Sequence, residues 1–323
     1  MDAIKQVVSD VTNSAQQQTG QAGAHPGPDE FKGADHSQRD EGRKVGIQAD
    51  MAKDVKTTDV EAEDGFDSYK PAGKMIDRKC LVTGGDSGIG RAAAVMFAME
   101  GADVAINYLP EEQVDANKVQ KTIQALGRQC LLVPQDLRDM EGCKRVVETV
   151  VKAWGRIDVL VNNASVMYDC PDITDISDEQ FHHTIDLNIK GTFFLTRAAV
   201  PHMGKGSSII VTASQVAYAG PPSLLDYTMT KAAQVGMVRG LSNQLIGKGI
   251  RVNAVCPGPV YTPLQEAAMS KGTLSEWLKN PAPIGRIGQP SELGPAYVFL
   301  ASADGSFISG QSIHVNGGAI VAS

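Results

Sequence analysis

KCLVTGGDSGIGRAAAVMFAME, residues 79–100, decides the fold of this 323-residue chain. KCLVTG reads as a short apolar strand ending in glycine, and residues 89–100 read as a helix. Between them TGGDSGIG, Thr83 to Gly90, turns the chain. Gly84 permits a sharp turn with backbone angles that other residues avoid. Gly88 lets the backbone approach a ligand with no Cβ in the way, and Gly90 lets the helix pack close to the strand. The helix amino terminus then offers free N–H groups and a partial positive charge to a pyrophosphate. Strand, glycine turn and helix, in that order, are the context a dinucleotide site requires.

Outward from this unit, strands alternate with helices. DVAINY (103–108), QCLLVPQD (129–136), IDVLVNNA (157–164), SSIIVTA (207–213) and IRVNAVCPG (250–258) read as strands. Residues 111–126, 139–154, 177–203 and 224–247 read as helices. Continuously apolar strands are buried on both faces, which predicts a parallel sheet covered by helices. Right-handed crossovers make it a doubly wound α/β sheet of Rossmann type, with ligands at the carboxyl ends of its strands. No internal repeat is visible.

Composition narrows the class. The chain is 42% hydrophobic and 21% charged, ordinary for a globular protein. Its net charge of -7 and the lack of a basic run argue against nucleic acid as a partner. The five cysteines form no CxxC pair, which disfavours a disulfide framework or a zinc site. His182 and His183 are adjacent, so a helix points them about 100° apart, and no third ligand stands nearby. No metal is expected. No secretory signal and no apolar run of about 20 residues is visible, so no membrane association and a cytoplasmic location are expected.

Residues 1–75 form a polar extension rich in Gln, Asp, Glu, Lys and Gly, and residues 76–323 form the folded domain. Such a segment buries too little apolar area to offset its ordering entropy, which predicts a flexible tail. FDSYKPAGKM, 66–75, is the part most suited to docking, with two aromatics beside the first strand.

Tyr227 and Lys231 lie four residues apart in LLDYTMTKAAQ, 224–234, on one face of a helix. A free phenol, with a pKa of about 10, is a poor proton donor and acceptor near neutrality. A cation beside it stabilises the phenolate and lowers that value.

The spacing G-x-x-x-G-x-G resembles that of the short-chain dehydrogenase/reductase family. Asn162-Asn163-Ala164 matches the family's N-N-A-G, with Ser165 in place of the last glycine. Asn188 in DLNIKGTF, Ser214 thirteen residues before Tyr227, the Tyr227-x-x-x-Lys231 pair, Pro257-Gly258 with Thr262, and VNGG (315–318) match in turn. The resemblance covers about residues 79–323. It implies that Tyr227 exchanges a proton with a carbonyl oxygen, that Ser214 hydrogen-bonds that oxygen, and that Lys231 also binds the nicotinamide ribose. It implies that Asn188 organises water in a proton path. It places the dinucleotide against Gly84, Asp86, Ser87, Gly88, Ile89, Gly90, Asn107, Tyr108, Asp136, Leu137, Asn163, Ala164, Tyr227, Lys231, Pro257, Gly258, Val260 and Thr262. Asp136 takes the position that contacts the adenine.

An acidic residue after the second strand would hold the adenosine ribose and repel a 2′-phosphate. INYLP has none there, and Asn107, Ser87 and Arg91 are candidate phosphate contacts. NADP(H) is therefore favoured, with NAD(H) also admitted. The resemblance implies a small carbonyl compound or alcohol as substrate. Val166–Tyr168, Gln215–Ala219 and a lid over 260–280 would wall its pocket, with Tyr168, Tyr218, Tyr261 and Trp277 as candidate lining. GGDSGIG, NYLP and the polar leader resemble the family branch of aldehyde and general oxidoreductases. A biosynthetic ketoreductase, or a nucleotide-binding regulatory protein without turnover, remains an alternative. The family, together with the small-residue helix 231–246, implies a homotetramer.

Overall fold

The computed structural model describes residues 46–62, 65–279 and 282–321. In chain order, a hairpin of β1 (Asp59–Ala62) and β2 (Gly65–Ser68) precedes β3 (Lys79–Thr83), α1 (Gly88–Met99), β4 (Asp103–Tyr108) and α2 (Gln113–Ala125). Then come β5 (Cys130–Pro134), α3 (Met140–Trp154), β6 (Val159–Asn162), α4 (Asp178–Ile185) and α5 (Thr192–Ala199). β7 (Ser208–Thr212), a short α6 (Val216–Ala219), α7 (Leu225–Leu245) and β8 (Arg251–Pro257) follow. The chain closes with α8 (Pro263–Ala268), α9 (Lys271–Lys279), α10 (Pro290–Ala301) and β9 (Ser312–Val315).

Strands β3 to β9 form one parallel sheet in the order β5-β4-β3-β6-β7-β8-β9. The order reverses direction between β3 and β6, where Val82 faces Val161, so the crevice at their carboxyl ends is the switch point for a ligand. Strand pleating divides the core in two. Cys80, Val82, Val104, Ile106, Val159 and Val161 face one side with α1 and α10, while Leu81, Ala105, Leu160, Val211 and Cys256 face the other with α3, α5 and α7. Every residue of β4, β7 and β8 is buried, as a sheet covered on both faces requires.

The long helix over 177–203 is not continuous. A π-helical turn, Asp186–Gly191, separates α4 from α5 and carries Asn188. Such turns widen a helix by one residue and recur at functional sites. The helix α10 has no counterpart in the sequence reading. It starts at Pro290, keeps Pro295 inside, and lets Gly294 lie on Met96, where a Cβ would come within 2.2 Å of the sulfur.

The described part of the extension does not stand free. Glu100 is fully buried and gathers it: Tyr69 OH donates to Oε1 at 2.5 Å, and the Ala72 and Lys74 amides donate to Oε2 at 3.0 and 2.8 Å. Arg286 ties the hairpin down by pairing with both Glu61 and Glu292. Over 46–62 and 65–75 the extension therefore has polar groups with partners on the domain; residues 1–45 lie outside the described residues.

Candidate active site

The glycine turn is built for close approach. Gly84 and Gly88 take φ of 57° and 50°, in the left-handed region. At Gly90 a Cβ would sit 1.9 Å from the Gly84 carbonyl oxygen, so no side chain fits. Thr83 locks the ends of β3 and β6 together: its Oγ1 accepts from the Asn163 and Ala164 amides at 2.9 and 3.0 Å. Asn163 Nδ2 returns hydrogen bonds to the Thr83 and Gly84 carbonyls at 3.0 and 3.1 Å. Ser87 places no side-chain cap on α1, which leaves the helix mouth to other acceptors.

Behind this turn lies Tyr227, buried with Lys231 one helical turn along α7. Lys231 Nζ lies 5.2 Å from the Tyr227 ring centroid and donates to the Thr212 carbonyl at 2.8 Å. Burial pulls the Lys231 ammonium down to about 7. Burial also pushes the Tyr227 phenol up, with the Ser165 and Ser214 hydroxyls pulling weakly the other way. The lowered phenol expected from a neighbouring cation is therefore not found in the protein by itself, because desolvation outweighs the other influences. Asp226 anchors the start of α7: one oxygen accepts from the Tyr227 amide at 2.8 Å, the other from Thr184 Oγ1 at 3.0 Å.

Asn188 is buried and bonded on every side. Its Oδ1 accepts from Ser165 Oγ and the Val166 amide at 3.1 and 2.9 Å, and its Nδ2 donates to Val166 O and Thr230 Oγ1 at 2.9 and 3.1 Å. Its carbonyl takes Gln234 Nε2 and Thr192 Oγ1, both at 2.8 Å. Asn188 thereby fixes the loop after β6 against α7.

Residues 84–319 match the family model described as enoyl-(acyl carrier protein) reductase. The chain is a short-chain dehydrogenase/reductase. It is 47% identical to the glucose and ribitol dehydrogenase of Daucus carota, over 78% of this chain and 88% of that one. It is 47% identical to NADPH-dependent aldehyde reductase 1, chloroplastic, of Arabidopsis thaliana, over 78% and 90%. A short chain dehydrogenase from Burkholderia cenocepacia J2315, solved with NADP, superposes with a TM-score of 0.71 at 31% identity, over 76% of this chain and 99% of that one. The chain is thus an oxidoreductase of this family.

The residues that the sequence of this short-chain dehydrogenase/reductase offers to the adenosine have partners within the domain. Asn107 Nδ2 is spent on the Val133 and Gln135 carbonyls at 3.0 and 2.8 Å, and Tyr108 OH on Gln113 at 2.8 Å. Arg91 Nε donates to the Asp86 carbonyl at 2.7 Å and Nη2 to Asp115 at 3.1 Å. The Asn107 amide group and the Tyr108 hydroxyl are thus engaged within the domain, while Arg91 spends Nε and part of Nη2. Asp136 pairs with Arg138, and Leu137 is buried behind it. Asp86 is buried, and neither of its carboxylate oxygens reaches a partner in hydrogen-bond geometry; burial raises it to about 6. Burial and the Asp86 charge push nearby Glu112 up to about 8. Sequence reading passed over Glu112 and Asp115 because each looks like an ordinary helix-start acid.

On the nicotinamide side, Pro257 O accepts from the Gln215 amide at 3.0 Å and the Gly258 amide donates to Val315 O at 2.9 Å. A Cβ on Gly258 would meet Asn316 at 2.4 Å. Val260 is buried, and Thr262 precedes α8 without a side-chain cap, its hydroxyl donating to Gln265 Oε1. Met167, Leu224, Tyr227, Tyr261, Met269, Leu274 and Leu278 form one apolar cluster with Trp277 at its edge. Of the aromatic candidates, Tyr261 is wholly buried and bonded to Glu266, Tyr168 OH meets His183 Nδ1 at 2.5 Å, and Tyr218 packs edge-on against His314. Ser165 is the residue the sequence undervalued: it brings a second hydroxyl to Tyr227. No group of metal-binding side chains occurs among the described residues, and no described helix is long and apolar enough to cross a membrane.

Proposed function

We propose that the chain is a carbonyl reductase or alcohol dehydrogenase in which Tyr227 exchanges the proton. The observation that carries this is the buried set of Ser214, Tyr227 and Lys231 beside the switch-point crevice. The Ser214 and Tyr227 hydroxyls hydrogen-bond a substrate oxygen as negative charge develops on it. Tyr227 then gives its proton to that oxygen, or takes it in the oxidative direction. Lys231, held by Thr212, keeps two further N–H donors for the ribose of a dinucleotide. A nicotinamide supplies or accepts the hydride when bound.

The dinucleotide fits the turn at Gly84, Gly88 and Gly90, where Gly84 and Gly88 take positive φ and Gly90 has no room for a Cβ, and the mouth of α1, which Ser87 does not cap. NADP(H) is the favoured form, on the likeness to a NADPH-dependent relative and to a structure holding NADP. NAD(H) is the second reading. Asp86, Glu112 and Asp115 lie near one another beside the turn, a negative cluster that disfavours a 2′-phosphate. The test is oxidation of NADPH and of NADH over a panel of aldehydes, ketones and sugars. NADPH turnover of an aldehyde supports the reading; binding of neither cofactor overturns it.

A homotetramer is part of the proposal. Phe181, Phe193, Leu225 and Met229 expose apolar surface on α4, α5 and α7.

A further inference from the structure

Residues 46–58 cross the carboxyl end of the sheet as a strap and touch both walls of the crevice. On one wall, Gln48 Oε1 accepts from the Gly88 amide at 2.8 Å, and the Ala49 amide donates to Asp115 Oδ2 at 3.1 Å. On the other, Gly46 lies so close to Pro263 that a Cβ would come within 2.5 Å of its carbonyl oxygen. Met51 and Val55 pack on the apolar cluster that holds Met167, Tyr227 and Tyr261. Lys56 fixes the far end: its amide donates to Gln289 Oε1 at 3.1 Å and its carbonyl accepts from the Ser291 amide at 3.0 Å.

We propose that Gln48 is a ligand of the dinucleotide's diphosphate and that the strap retains the bound cofactor. This rests on the dinucleotide reading above. Gly88 opens α1, so its amide marks the mouth where a diphosphate would be received. The Gln48 carboxamide is anchored there through its oxygen. Its Nε2, with two N–H donors, makes no hydrogen bond among the described residues. The crevice needs such a donor. Arg91 spends Nε on the Asp86 main-chain carbonyl and Nη2 on Asp115, and three carboxylates lie close by. A neutral amide brought in from the extension adds donors for the diphosphate without recruiting another charge. Because the strap is pinned to both walls, a dinucleotide beneath it leaves only when the strap lifts.

Full-length protein, wild type and Gln48→Ala and Gln48→Glu, would be titrated with NADPH by nicotinamide fluorescence, with release followed by stopped flow. A hydrogen bond to a charged group predicts a Kd about 10- to 100-fold weaker in Gln48→Ala, carried mostly by faster release. Gln48→Glu, which sets a carboxylate on the diphosphate, should be weaker still. The loss should appear in the KM for NADPH more than in kcat, the split that separates cofactor retention from a structural role. Unchanged Kd in both variants beside a binding wild type would overturn the inference and leave the dinucleotide reading standing. Tighter binding in Gln48→Ala would also overturn it, making Gln48 a plug. A wild type that binds neither NADPH nor NADH would sink the dinucleotide reading itself.

Discussion

Lys231 reaches beneath the ring of Tyr227, its Nζ 5.2 Å from the centroid, and gives a hydrogen bond to the Thr212 carbonyl at 2.8 Å. Both groups are buried, and burial opposes the charged form of each. The protein holds an ammonium where it resists protonation and a phenol where it resists ionisation. A bound cofactor would bring hydroxyls and charge to a pair that is already placed.

That pair makes stability depend on pH. Lys231 falls from 10.5 to about 7 on folding. Below pH 7 both states hold the proton, and the folded protein bears the whole cost of a buried ammonium. Between about 7 and 10.5 the unfolded chain binds more protons than the folded one, so stability rises with pH across that window. Lys231→Met should be more stable than wild type at pH 6 and should lose this rise. Denaturant unfolding at pH 6 and pH 9 measures both, and equal pH dependence in the two proteins would contradict the assignment.

Ser165 donates to Asn188 and brings a second hydroxyl to Tyr227. Removing that hydroxyl removes one of two influences that lower the phenol. Ser165→Ala should shift the alkaline limb of the kcat/KM profile upward and reduce turnover by about tenfold, the low end for a group aiding proton transfer. Ser165→Thr should recover part of the loss. A profile identical to wild type would show that Ser165 only closes the loop.

Glu100 joins the extension to the domain through three hydrogen bonds. Glu100→Ala strands two backbone amides and the Tyr69 hydroxyl, at a cost of about 2–4 kcal/mol. Urea unfolding should show that loss, and a change below about 0.5 kcal/mol would mean that residues 69–74 do not dock in solution.

Phe193 and Met229 present apolar surface on neighbouring helices. Charging both, as Phe193→Asp with Met229→Asp, should convert a tetramer to dimers by light scattering while leaving the glycine turn intact. A wild type that is monomeric at micromolar concentration would remove the assembly from the account.

Much of this was legible before the structure. The strands of the sheet, the glycine turn and the Tyr227–Lys231 spacing are local patterns, and local patterns survive in sequence. The helix α10 was hidden by Pro290, Gly294 and Pro295, which local propensity counts against a helix and packing on Met96 overrides. The strap was hidden for a different reason. Its docking uses hydrogen bonds from Gln48, Ala49 and Lys56 to residues 40 to 233 positions away, and composition carries no trace of such partners. Asn107 and Arg91 looked available to a phosphate because sequence shows a side chain's donors without showing where they are already spent.

The most direct test of the central claim is Tyr227→Phe against wild type, with NADPH binding and NADPH oxidation measured on the same preparations. The account predicts a Kd for NADPH within about twofold of wild type and turnover lowered by at least about 100-fold, since only the proton-exchanging hydroxyl is gone. Turnover close to wild type would contradict it and move the proton chemistry to another group.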